Sequence, residues 1–127
     1  MAITYSIDPS SRLMLTRADG VVTFHDVNAH LDVEQRNRDL DRPELIDACG
    51  ATTDLTSADI RRLVQRAGAM LRTVDLGPTA IVTTSDVVYG MARMYSILAE
   101  GVGVNVEVFR DMDAATKWLR GFQNPSR

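Results

Sequence analysis

Hydrophobic and polar positions change period several times along the chain, and each change marks an element. Ile3, Tyr5 and Ile7 alternate with polar residues, Asp8-Pro9-Ser10-Ser11 has turn chemistry, and Leu13 to Thr16 resumes an apolar run, predicting an opening β-hairpin. After Asp19-Gly20, Thr23 with Asp26 three residues on forms a variant capping box. Phe24, Val27 and Leu31 then recur at helical spacing, predicting a helix from about Phe24 to Arg38. Pro43 closes a polar loop, and Glu44 to Cys49 reads as a strand ending at Gly50.

Thr56 or Ser57 opens the next helix, whose apolar face is Ile60, Leu63, Val64, Ala67, Met70 and Leu71, with Arg61, Arg62, Arg66 and Arg72 turned away. Gly77-Pro78 introduces the β-branched run Thr79 to Thr83, a strand covered on both faces. Ser85 or Asp86 caps a helix to about Glu100, and Gly101 and Gly103 end it. Val104, Val106 and Val108 alternate in a last strand, and Asp111 or Asp113 begins a helix carrying Ala114, Ala115, Trp118 and Leu119. The tail, 121–127, is expected to fray. The order ββαβαβαβα predicts one α/β domain over 1–127, a sandwich with a mixed five-stranded sheet, because strands joined by crossover helices pair in parallel.

Composition narrows the class. The 127 residues are 45% hydrophobic and 24% charged, as in ordinary globular domains, and the net charge of −3 provides no pull toward phosphate backbones, so no nucleic-acid partner is expected. The only cysteine, Cys49, cannot form an internal disulfide, which suits a reducing compartment. The first residues lack the basic and apolar regions of a secretion signal, and no run approaches a membrane span, so a cytoplasmic protein is expected.

Catalytic motifs are thin. His25 and His30 stand five apart on the first helix, about 140° around it, so they cannot jointly hold a metal, and both read as members of a solvated face. Gly101-Val102-Gly103 follows a helix and precedes a strand, the reverse of a phosphate-loop context. No catalytic residue, cofactor or metal is implied. Asp47 lies between Ile46 and Ala48 in a strand expected to be central; it is either a carboxylate facing a binding crevice or a loop anchor. The helix from Asp86 carries a narrow polar strip of Tyr89, Arg93, Ser96 and Glu100. Apolar residues cover more than half of its circumference, including Met91, Met94, Tyr95 and Ile97. Either that surplus is wedged inside the fold, or it faces a partner subunit or an apolar ligand. Tyr89 and Arg93 flank the same face.

The segment Tyr89-Gly90-Met91-Ala92-Arg93-Met94-Tyr95 and the ending Phe109-Arg110-Asp111, Ala115, Trp118-Leu119 make the chain resemble the bacterial SpoIIAA-like proteins. These belong to the superfamily that joins STAS domains with CRAL-TRIO lipid-transfer domains. The resemblance covers nearly the whole chain in element order. It implies a STAS-like fold, binding of a small molecule or protein rather than catalysis, and dimers in some members. STAS anti-sigma-factor antagonists carry a phosphorylatable serine in a D-S-[SA]-G segment. The matching stretch is Thr56-Ser57-Ala58-Asp59, which keeps the serine at Ser57 but replaces the preceding acid and the glycine. An acid one turn into the helix would repel a phosphate there, so Ser57 reads as an N-cap.

Two functions follow. One is a non-enzymatic binding module that self-associates as a homodimer and holds an apolar ligand, such as a lipid chain or a lipid at a membrane surface. The other is a phospho-switched regulator docking a protein partner through the Ser57 helix. An enzyme ranks third, for want of an acid/base pair or an activated nucleophile.

Overall fold

The computed structural model describes residues 2–123. Its elements are β1 (Ile3–Ile7), β2 (Met14–Val22), α1 (Phe24–Arg36), β3 (Glu44–Thr53), α2 (Ser57–Leu71), β4 (Thr79–Val82), α3 (Asp86–Gly101), β5 (Val106–Phe109) and α4 (Met112–Gln123). The expected order holds throughout. The strands lie in the sheet in chain order, β1 antiparallel to β2 and every later pair parallel.

The sheet separates two layers. Leu45, Ala80 and Val82 on one face pack against Ala115 and Leu119 of α4, a buried cluster extended by Phe109 and Trp118. Ala18, Val22, Ala48 and Ala51 on the other face meet Val88 of α3 and Val27 of α1. There α2 and α3 cross closely on small residues, with Ala67 and Ala99 buried against Val104. Arg66 of α2 ties that layer to α1, donating to the Asn28 carbonyl and side chain and, at 2.6 Å, to Asp32 Oδ1.

β2 and β3 are longer than the hydrophobic pattern suggests. Beyond Arg17 and Asp47 the register slips by one residue, Asp19 facing Gly50, so β3 carries a bulge and pairing resumes through Val22 and Thr53. Gly50 therefore continues the strand instead of ending it. A Cβ at that position would meet the Asp19 carboxylate, which would have to swing aside. Because the bulge shifts the alternation, Ala48 and Ala51, three apart, are buried in the same cluster.

The helix ends show which caps the backbone selects. Thr23 and Asp26 form a complete capping box, as expected. At α2 the cap is Thr56: its side chain accepts from the Asp59 amide while Asp59 accepts from the Thr56 amide. Of the two candidate caps, Ser57 is instead the first helical residue. Ser85 caps α3, and Gly103, at φ +90°, supplies the left-handed turn after it. α4 passes through Gly121 to Gln123, so the described part of the expected frayed tail is helical; residues 124–127 lie outside the described residues.

The capping geometry makes a direct prediction. Thr56→Ala should lower the unfolding free energy by about 1 kcal/mol in urea denaturation, whereas Ser57→Ala should leave it nearly unchanged. Equal losses would move the cap back to Ser57.

Candidate functional site

α1 presents one face to the sheet, and that face is only partly apolar. Val27 and Leu31 turn inward as their spacing requires, but so do the residues in phase with them, His30 and Glu34, one helical turn apart. Opposite them stands Glu44, the first residue of β3, whose carboxylate accepts from the Thr16 hydroxyl of β2 at 2.7 Å. His30 Nε2 lies 2.9 Å from Glu44 Oε2 and 3.2 Å from Glu34 Oε1. The three side chains are only 8%, 6% and 9% exposed for His30, Glu34 and Glu44. One ligand atom from each lies within 4.8 Å of the others, an arrangement able to hold a cation. Tyr5 meets the imidazole edge-on, with ring centroids 5.6 Å apart, and its hydroxyl donates to Asp39.

His30 is therefore not on a solvated face, and only His25 is exposed. The apolar periodicity of α1 marked its inward side correctly; two polar residues share that side because their partner arrives from β3. An acid–base grouping, absent from the sequence reading, is thus assembled by the fold. Its available signal was the placement of His30 and Glu34 in helical phase with Val27 and Leu31.

This cluster closes one end of a cavity of about 210 Å³ between α1, α2, α3 and the sheet. Most of the wall is apolar, including Ala18, Ile46, Ala48, Ile81, Leu63 and Ala92. Ala18, Ala48 and Ala51 on the sheet and Ala92 on α3 leave room that larger side chains at those positions would take up. Met91 and Tyr95, two of the expected site residues, also line it. The remaining residues singled out on α3 point elsewhere. Tyr89 stacks under the Arg110 guanidinium, 4.1 Å from the ring centroid, and Arg93 pairs with Glu107 of β5 at 3.6 Å. Ile97 is exposed and Met94 half-buried, both outside the cavity. Ser96, assigned to the polar strip, is buried and donates to the Arg93 carbonyl. The strip thus turns toward β5, leaving Val87 and Ile97 at 64% and 55% exposure on the outer face.

Asp47 does not reach this cavity. Glu44, Ile46 and Ala48 line it, so strand alternation sends Asp47 to the opposite sheet face, where its carboxylate accepts from the Cys49 amide at the bulge. It anchors backbone that the bulge would leave unpaired. Desolvation, with the hydrogen bond and charge of Asp47, pushes the Cys49 thiol up. Ser57 is exposed at the start of α2, separate from the cavity.

The geometry resembles that of solved structures. The chain is similar to an uncharacterized protein of the DUF3478 family with a SpoIIAA-like fold from Shewanella loihica PV-4, at 20% identity and a TM-score of 0.58, over 93% of this chain and 94% of that one. The chain has a SpoIIAA-like fold. No protein-family model and no curated protein matches it. The SpoIIAA-like resemblance carried by the α3 and α4 segments is in this way supported at the level of architecture, and the mixed five-stranded sheet matches the expectation.

Burial and the neighbouring charges dominate the electrostatics. Glu34 is pushed up to about 9, first by desolvation, then by Glu44 and Asp39. Tyr95 is pushed up to about 12 by burial and by the same two glutamates. Glu34 titrates higher in the folded than in the unfolded chain, so between about 4.5 and about 9 the folded state holds an extra proton. Its contribution to stability is complete below about 4.5 and lost as pH rises through about 9. For protein treated with a chelator, Tm should therefore fall as pH is raised across this window, and Glu34→Gln should flatten the fall. At the alkaline end the variant should exceed the wild type by about 1–3 kcal/mol. Parallel pH profiles for the two would show that Glu34 is ionised throughout.

Proposed function

We propose that the protein is a binding module whose cavity holds a compact apolar molecule, a reading carried by the apolar cavity between the sheet and α1 to α3. Its volume of about 210 Å³ decides the size class. A dry cavity of about 150 Å³ takes up a benzene-sized ligand, while drug-sized ligands occupy about 300–1,000 Å³. The match is a single ring or a short alkyl group rather than a whole lipid, which narrows the apolar-ligand expectation. Met91 supplies an adaptable wall and Tyr95 a hydroxyl that makes no hydrogen bond among the described residues. Binding rather than nucleophilic catalysis is favoured because Cys49, the chain's only thiol, lies outside the cavity and is held in its protonated form.

Self-association belongs to the same reading. Val87, Gly90, Met94, Ile97 and Gly101 recur at alternating spacings of three and four along the outer side of α3, with Val87 and Ile97 more than half exposed. A two-fold contact between copies would bury this seam, self-complementary because both copies present the same residues. The phospho-switch reading has less support: Asp59, two residues past Ser57 in the first turn of α2, already accepts from the Thr56 amide and pairs with Arg62, placing a negative charge where a phosphate would come.

Two experiments test these statements. In calorimetric titration with alcohols from butanol to decanol and with benzene, binding should strengthen with chain length and then drop for the longest members. Ala92→Leu, which fills part of the space, should weaken the best ligand at least about tenfold. Absence of saturable binding by any of them rejects the apolar ligand. In sedimentation at tens of micromolar the wild type should be dimeric and Ile97→Asp monomeric with an unchanged circular dichroism spectrum; a monomeric wild type rejects the seam.

A further inference from the structure

We propose that His30, Glu34 and Glu44 form a binding site for one divalent transition metal ion, with Zn²⁺ as the reference. The inference stands apart from the apolar-ligand reading, since it rests on the polar end of the cavity and not on what fills the rest.

Charge balance is the first reason. Two carboxyl groups lie more than nine-tenths buried within a few ångströms of each other, and among the described residues neither is paired with a lysine or arginine. Burying two neighbouring carboxyl groups with no lysine or arginine beside them is costly, and a divalent cation bound between them would offset that cost. Donor chemistry is the second. One imidazole nitrogen with two carboxylate oxygens suits Zn²⁺, Mn²⁺ or Fe²⁺, while Ca²⁺ takes about six to eight oxygen ligands and Mg²⁺ a strict oxygen octahedron.

Geometry is the third. Metal bonds of about 2.0–2.1 Å in a tetrahedral site place ligand atoms about 3.3 Å apart. The present separations from Nε2, 2.9 and 3.2 Å, are already close to that edge length. To seat an ion these two separations open by a few tenths of an ångström at most, and the two carboxylate oxygens already lie within 4.8 Å of each other. Glu44 is also oriented from behind by the Thr16 hydroxyl, as ligating carboxylates commonly are. The cavity is the independent fourth observation: all three residues border it, so a fourth coordination position opens into space that a water or ligand atom can occupy, and Tyr95 stands on the same wall.

The test uses the full chain stripped with a chelator. Titrated calorimetrically with ZnCl₂, it should bind one equivalent with a Kd in the micromolar range or tighter. Co²⁺ in place of Zn²⁺ should give visible ligand-field absorption with the intensity of a four- or five-coordinate site. Glu34→Gln, which keeps the volume and removes one ligand, should weaken Zn²⁺ at least about tenfold, and His30→Ala should remove the Co²⁺ spectrum. His25→Ala, on the exposed side of the same helix, should change neither. If His30→Ala fails to fold by circular dichroism, Glu34→Gln decides. No binding below about millimolar metal, or binding equal in Glu34→Gln and the wild type, overturns the site, as does loss on His25→Ala alone, which marks a surface ion. Ala92→Leu should lose the alcohols while retaining Zn²⁺, so failure of one proposal is distinguishable from failure of the other.

Discussion

Two carboxyl groups and one imidazole share a single buried contact between α1 and β3, and the geometry of the inner layer depends on it. The contact fixes the helical phase of α1, because only one rotation brings both His30 and Glu34 over Glu44 while keeping Val27 and Leu31 inward. Burial first, and then the neighbouring acidic charges, raises both Glu34 and Tyr95. Water is largely excluded, so these interactions are weakly screened and each proton or cation that enters has a large effect. Arg66 reaching across to Asp32 and Asn28 holds the helix in that orientation from outside.

The cavity follows from a second property of the same layer. Parallel strands joined by crossover helices must be covered on the face where the helices return, and here α1, α2 and α3 all return on one side. Small side chains on that sheet face, Ala18, Ala48 and Ala51, leave the helices bridging a gap instead of filling it. On the opposite face α4 lays Ala115 and Leu119 directly on Leu45, Ala80 and Val82. One sheet therefore carries a face packed by a single helix and a face with room for a guest.

α3 shows how a single helix serves several neighbours. Met91 and Tyr95 meet the cavity, Ser96 and Ala99 are buried within the fold, Tyr89 and Arg93 interact with groups on and beside β5, and Val87 and Ile97 face outward. Its broad apolar arc is consequently neither wholly wedged in the core nor wholly available to a partner. Polar residues are accommodated on the inner side by local hydrogen bonds, as with Ser96 and the Arg93 carbonyl.

Element order, the cap at Thr23, the choice of Ser85 or Asp86 at α3 and the apolar inward positions of α1 and α2 were legible in the chain, because each depends on residues within a turn or two of one another, and parallel pairing followed from the crossover helices. The extra length of β2 and β3 was not: Gly50 looks like a terminator until a partner strand supplies hydrogen bonds on the far side of a bulge. Asp47 was flagged as a central-strand acid, but its face and its role at that bulge depend on register. Met91 and Tyr95 were identified as binding candidates from helix amphipathicity, yet the same arc could not separate them from Met94 and Ile97. The His30, Glu34 and Glu44 cluster was only half legible: helical phase turns His30 and Glu34 to the side of Val27 and Leu31, but Glu44 is ten residues past Glu34 on another element, and nothing local shows that it faces them. Periodicity reports which way a side chain points; only the meeting of α1 with β3 decides what it points at.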